Sequence, residues 1–520
     1  MYSMKKENSP NIAKNTLFLY FRMICISLVT LYTSRVVLRV LGATDYGIYQ
    51  TVGGIVGMLS FVNGALSTGS SRFLTFELGR GDICKLKTMF SSLLSAHIIL
   101  AILVVIIGEP VGLWFINTKL NIPVRQIVVA KVIYQFSLIT AFMNITQVPY
   151  SSVIIAHENM RIYAYVSLLE AMLKLLVAFA ITISPINKLI FYAAMLCLSQ
   201  LCIRVVYRSY CRKKYIESRF TRNAFDSDTL KEVFGFSGWS LFASVSTALI
   251  RNGTIILLTT FFSPVLAASR SIVDQVNNTL SQFISNFRTA SNPQIVKRYA
   301  VKDYVGSKRL LLKSTYLSYY LMLFISLPVI LLAEPLIKLW LGQIPEYVVP
   351  FLQWTMIQSL FAVFDSSFYV PLYAKGRLKE NALIAPTIDV LCLAAVYIGF
   401  LNGHSPLIIC YIYVAMTLIQ GLIEKPILVC YIVGYKYKEI FYVYMRCFFV
   451  TLISTPLPCY LVRKVDTSRI ANFLLICVVS SISIGLASWF VGMSSADKRM
   501  IINYLKTKIH WKQLLKRKGE

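Results

Sequence analysis

The sequence predicts an all-α polytopic membrane protein, and three observations carry the prediction. Hydrophobic residues make up 57% of the 520 positions, against 14% charged, and the mean hydropathy is +0.64. A soluble domain is about half apolar and a quarter charged, and a single buried core stops growing well below this length. Apolar stretches of roughly 20 residues, the length that crosses a bilayer, recur from end to end. Alternating strand patterns with turn signals are missing, which sets aside a membrane β-barrel.

The spans follow in order. A polar, basic segment opens the chain, and the apolar run after it, from Leu17 to Leu41, is too long for the core of a cleaved signal peptide. It reads as a first helix that stays in place. About fourteen spans are expected in all. They begin near Asn15, Tyr46, Thr88, Val124, Met160, Asn187, Phe234, Leu266, Arg309, Val348, Ala382, Ser405, Phe441 and Ile470.

Basic residues alternate between the connections. Lys5 and Lys6, then Arg72, Arg80, Lys85 and Lys87, then Arg208, Arg212, Lys213 and Lys214 fall on one side. Lys297, Arg298, Lys375, Arg377, Lys436 and Lys438 continue the series, while the odd-numbered loops, such as the GATDY segment after Leu41, are poor in them. Only the loop with Arg463, Lys464 and Arg469 departs. The positive-inside rule then places both termini in the cytoplasm. Much of the net charge of +29 is therefore topology, and nucleic-acid binding is not implied. Residues 495–520 alternate apolar residues with lysines at roughly helical spacing, as in a helix lying on an anionic leaflet.

The longest charged stretch, 207–229, divides the chain and reads as a basic cytoplasmic linker. GEPVGLWF at Gly108–Phe115 is echoed by AEPLIKLWL at Ala333–Leu341. VPYSSVIIAHENMRIYA from Val148 is echoed by VPLYAKGRLKENA from Val370. The shared order predicts a six-helix bundle over 1–206 and a second over 230–434, repeated in parallel. Two additional helices over 435–494 and the basic tail complete the layout. Two such bundles enclose a cavity that rocking exposes to alternate sides, the architecture of a transporter.

Charge inside a span costs about 2.5–3.5 kcal/mol on insertion scales and calls for a partner or a wet cavity. Arg204, Arg446 and Arg39 lie near helix ends, where they can snorkel. Glu170 and Lys174 stand four apart and can pair on one helix face. Arg251 lies deep in the seventh span with no acid on its own face. Arg35 has only Arg39 one turn on, Arg22 sits two turns into the first span, and Arg270 has Asp274 one turn on. Arg22, Arg35, Arg251 and Arg270 are candidates for one cationic chamber, since a guanidinium grips phosphate oxygens in a bidentate fork. The alternative is pairing with acids on other helices, such as Asp365 or Asp389. Asp274, Asp365 and Asp389 are either protonation sites coupled to an ion gradient or partners of these arginines. Glycines 53, 54, 57, 64 and 69 allow close helix approach. The 11 cysteines stand singly and read as buried thiols. Walker, metal-ligand and nucleophile-elbow motifs are missing, so no cofactor and no enzymatic activity are expected.

The opening block, NTLFLYFRMICISLVTLYTSRVVLRVLGATDYGIYQTVGGIVGMLSFVNGALSTGSSRFLTFELGRGD, resembles the start of the polysaccharide-biosynthesis flippases of the MOP exporter superfamily. Its most specific element is Leu-Gly-x-x-x-Tyr-Gly-x-Tyr at Leu41–Tyr49. The fourteen-span layout and the half-repeat extend the resemblance over essentially the whole chain. The resemblance implies a MATE-like fold in the bacterial inner membrane. It also implies export of an undecaprenyl-diphosphate-linked oligosaccharide, with a polysaccharide polymerase and its chain-length machinery as partners. A multidrug antiporter of the same fold and a peptidoglycan-precursor flippase are the rival readings. A polymerising enzyme fits less well, because it needs a large external loop.

Overall fold

A computed structural model describes residues 9–59, 61–219, 227–377, 379–495 and 498–499. Side chains are described from Met23 onward, except at 61–66, 68, 227–243 and 289–290. Among the described residues the chain is helical and contains no strand. The helices run α1 (Ser9–Leu59), α2 (Phe61–Arg80), α3 (Ile83–Thr118), α4 (Val124–Ala156), α5 (Met160–Ala180) and α6 (Lys188–Lys214). They continue with α7 (Ser227–Phe261), α8 (Pro264–Ala300), α9 (Tyr304–Leu331), α10 (Ala333–Leu341), α11 (Val348–Lys375) and α12 (Lys379–Leu401). A segment then follows in which α13 (Ile408–Leu418) and α14 (Lys425–Leu428) are separated and followed by π turns at Ile419–Glu424 and Val429–Val433. The series ends with α15 (Tyr437–Ser454), α16 (Pro456–Lys464) and α17 (Ile470–Ala487). Eleven helical stretches among the described residues are long and apolar enough to cross a membrane. The chain is a multi-pass membrane protein.

Local chemistry sets the boundaries. Asp82 starts α3 by accepting from Lys85 N, Asn187 starts α6 by accepting from Leu189 N and Ile190 N, and Asp303 starts α9 through Gly306 N; a capping oxygen satisfies donors that have no partner in the first turn. Pro110, Pro149, Pro328, Pro371 and Pro386 sit inside helices, which packed neighbours in a membrane tolerate. The two copies of the second sequence echo take the same local form. In each, an internal proline (Pro149, Pro371) precedes a short turn with positive φ, at Glu158 (54°) or Gly376 (75°), and then the next helix. The first echo diverges. Gly108–Phe115 continues α3, whereas Ala333–Leu341 forms the separate helix α10.

The boundary expected between the first two spans at GATDY falls at Gly42, where two helices meet in a kink. Gly42, at φ 79°, breaks α1 without opening a loop; only glycine takes that conformation without strain. The Leu-Gly-x-x-x-Tyr-Gly-x-Tyr element is thus explained residue by residue. Gly42 supplies the kink, and Tyr46, one turn beyond it, is buried. Gly47 touches the start of α8 so closely that a Cβ there would lie 1.8 Å from Pro264 O. Tyr49 meets Tyr192 edge-on at 4.9 Å.

The chain divides into two compact units. Unit 1 comprises Met1–Thr279, Trp340–Phe351 and Lys379–Met416. Its core joins Ile48, Val52, Ile133, Tyr134 and Ile256. Gly54 and Gly57 let α1 approach Asn252 on α7, the packing role expected of the small residues. Unit 2 comprises Leu280–Leu339, Leu352–Leu378 and Thr417–Glu520, and its core gathers Tyr319, Phe364, Phe368, Tyr444 and Ile484.

Candidate functional site

Each unit holds a concentrated group of charged side chains inside its helices. In unit 1 the group is built by the antiparallel pair α7 and α8. Arg251 lies ten residues before the end of α7, and Asp274 lies ten residues after the start of α8. At 1.5 Å per residue both sit about 15 Å from the turn that joins the helices. This equal depth brings them together across the hairpin: Arg251 acts electrostatically on Asp274. Arg270, one turn before Asp274 on the same face, places Nη2 3.0 Å from Asp274 Oδ1. Its guanidinium also stands 5.7 Å from the ring centre of Tyr413, a cation–π contact, and the Tyr413 hydroxyl shares a hydrogen bond with Thr254 on α7.

The two arginines differ in exposure. Arg270 is buried, with 6% of its surface accessible, whereas Arg251 is exposed. Arg35 on α1 is exposed as well. Its neighbour Ser34 donates to Gln275 Oε1 at 2.6 Å, and Gln275 donates back to Thr30 O at 3.1 Å. The stretch 30–35 of α1 therefore runs beside α8 at the level of Asp274. Arg22 lies on α1, but its side chain is outside the described set. Asp389 accepts a hydrogen bond from Ser246 Oγ at 2.9 Å. Glu170 and Lys174 pair at 2.6 Å on the exposed face of α5, away from this group.

Unit 2 contains a charge group that the sequence reading missed. Lys425, 2% exposed, lies 3.0 Å from Asp365 Oδ1 and 3.0 Å from Glu424 Oε2. Arg288, also buried, donates to the Ser366 hydroxyl and carbonyl and feels the field of Asp365. Asp365 is thus the partner of Lys425 and of Arg288. The π turn ending at Glu424 presents Lys425 to α11, with Gly421 packed on the backbone of Phe361 and Asp365. The one available signal was Glu-Lys-Pro at 424–426, charge placed in the middle of an apolar run.

The two groups differ. Two cations meet two carboxylates in unit 2, a neutral set that satisfies itself. In unit 1 Arg251 and Arg270 both act on Asp274, with exposed Arg35 nearby. The unit 1 group gathers several guanidinium groups in the middle of membrane-length helices. An exposed guanidinium at that depth is tolerable in a water-filled space, and such a space attracts anions.

No protein-family model and no curated protein matches the chain. Solved structures do. An inward-facing structure of a multidrug resistance MATE family transporter of the MOP superfamily matches with a TM-score of 0.66 at 12% identity, over 80% of this chain and 99% of its own. The lipid II flippase MurJ in an inward closed conformation matches with a TM-score of 0.67 at 12% identity, over 94% of this chain and all of its own. A MATE in the straight conformation gives 0.56 at 15% identity, over 81% of this chain and 97% of its own. The chain thus has the fold of MOP superfamily transporters, the fold seen in both MATE and MurJ.

Proposed function

We propose that this protein is a flippase that moves an undecaprenyl-diphosphate-linked oligosaccharide repeat unit from the inner to the outer leaflet by alternating access. The observation that carries the reading is the gathering of Arg251 and Arg270 around Asp274 in unit 1, with exposed Arg35 nearby. A diphosphate brings negative charge to them, and bidentate guanidinium contacts suit its oxygens. Arg270 is fixed by Asp274 and Tyr413, so it positions the site. Exposed Arg251 and Arg35 make the contacts. Arg22 completes the chamber in this reading.

The fold shared with a lipid II flippase, over 94% of this chain, supports a lipid-linked substrate. So does a groove of about 420 Å³ on unit 2, lined by Ile453, Leu457, Ile482, Leu486 and Phe490 of the α15–α17 region, which offers an apolar bed for a lipid chain. The neutral charge group of unit 2 holds α8, α11 and the π-turn segment together, and Asp365 and Asp389 then act as charge and hydrogen-bond partners.

The MATE likenesses favour a second reading, a multidrug antiporter. Cationic drugs are poorly served by two arginines around one acid. A peptidoglycan precursor is a third, differing only in the sugar.

The test replaces Arg251 in cells that depend on this protein for surface polysaccharide. Arg251→Ala should insert at normal abundance and lose export by about tenfold or more, the worth of a charged hydrogen bond. Arg251→Lys should rescue only in part, since the fork is lost. Full polymer display from a well-expressed Arg251→Ala protein would overturn the reading.

A further inference from the structure

A second ligand site lies on the outside of unit 1, at the basic ends of α5 and α6. A groove of about 220 Å³ runs between these helices and α4, with Ile162, Tyr165, Leu169, Val206 and Tyr210 among its walls. The lining is almost wholly apolar, yet Tyr165 and Leu169 are 57% and 39% exposed. Leu169, the deepest of the α5 wall residues, is nine residues from the start of α5, about 14 Å along the axis. That is half of the hydrocarbon thickness, so the groove belongs to one leaflet.

Its mouth is cationic. Arg161 stands one helical turn before Tyr165, and Lys213 and Lys214 stand three and four residues after Tyr210, on the groove face of each helix. Lys214 Nζ donates to the Tyr210 hydroxyl at 3.1 Å and lies 5.6 Å from the centre of its ring. The polar end of a groove wall and a cation are thus in direct contact. Among the described residues nearby, Glu217 is buried and bonded to His157 Nε2 at 2.5 Å, and Glu158 is the carboxylate of the adjoining turn. Three cations above an apolar trench one leaflet deep and edged by tyrosines match an amphiphile with an anionic head.

We propose that this groove binds an anionic phospholipid, one acyl chain between α5 and α6 and the phosphate on Arg161, Lys213 and Lys214. A chain confined to one leaflet favours a glycerophospholipid over a long polyprenyl carrier. The site is separate from the arginine group of α7 and α8, and it holds whatever the protein transports.

Native mass spectrometry of the full-length protein in detergent, offered equal amounts of dioleoyl-phosphatidylglycerol and dioleoyl-phosphatidylcholine, tests it. The wild type should retain phosphatidylglycerol in clear preference, and salt should erode that preference. Arg161→Gln with Lys213→Gln and Lys214→Gln should lower retention by about fivefold per cation. Leu169→Trp, which fills the groove, should lower retention of both lipids, whereas Lys436→Gln with Lys438→Gln should change nothing. Equal retention of the two lipids by the wild type would overturn the proposal, and that measurement needs no variant to fold. An undiminished preference in the triple variant would overturn it too. Undecaprenyl phosphate displacing phosphatidylglycerol at equal concentration would reassign the groove to a polyprenyl carrier.

Discussion

Replacing Arg270 with alanine strips Asp274 of the guanidinium that stands 3.0 Å away. Removing one partner of a buried ion pair costs about 3–5 kcal/mol, because the other charge is left without compensation. Here the figure is reduced: the Asp274 side chain retains 21% exposure, and Arg251 still acts on it. We expect about 2–4 kcal/mol. Arg251→Ala leaves the Arg270–Asp274 pair intact and removes an exposed charge, so its cost should stay below about 1 kcal/mol. Arg270→Gln combined with Asp274→Asn removes both charges and should recover most of the loss. Thermal unfolding of the purified proteins, followed by fluorescence-detected size exclusion, ranks the variants, and a double-mutant cycle yields the coupling. An Arg270→Ala protein as stable as wild type would refute this account, as would a double variant no more stable than Arg270→Ala. Either result would mean that the pair is not what holds α8 in place, and the division between a positioning Arg270 and a contacting Arg251 would fall with it.

Other expectations follow from single contacts. Lys425→Met should destabilise unit 2 by about 3–5 kcal/mol, since Asp365 and Glu424 lose their common partner, as read by the same unfolding assay. Gly47→Ala should abolish accumulation of folded protein on size exclusion, because the new Cβ meets the Pro264 backbone, which has no side-chain rotation to give. Gly57→Ala should be mild, since its Cβ would meet only the amide end of Asn252, 2.9 Å away. If both termini are cytoplasmic, an impermeant thiol reagent applied to intact cells should miss a cysteine placed at exposed position 212 in a thiol-free background; labelling there would reverse the topology.

Much of the architecture was legible because hydropathy at membrane length is a strong signal. The starts read near Thr88, Val124, Met160 and Asn187 lie within a few residues of α3 to α6. The boundary read at GATDY falls at the Gly42 kink, where the chain turns with almost no loop residues. Within the candidate site, Arg270 and Asp274 were legible through their i, i+4 spacing. The approach of Arg251 to Asp274 was not, because a search along one helix face cannot see across a hairpin. Counting both residues from the α7–α8 turn would have found it. Lys425 stayed hidden because an average over an apolar run dilutes one charge.

The π turns at Ile419–Glu424 and Val429–Val433 have a consequence for helical phase. Each residue of an α-helix advances the side-chain direction by about 100°, and a π turn takes in one residue more. Everything beyond the first turn is therefore rotated by about that angle from where an unbroken helix would put it. Lys425 reaches Asp365 by virtue of this offset. Deleting one residue from 419–423 would regularise the helix and improve its local hydrogen bonding, yet swing the ammonium away from both carboxylates. The irregular winding is what aims the charge, so this stretch tolerates changes of side chain far better than changes of length.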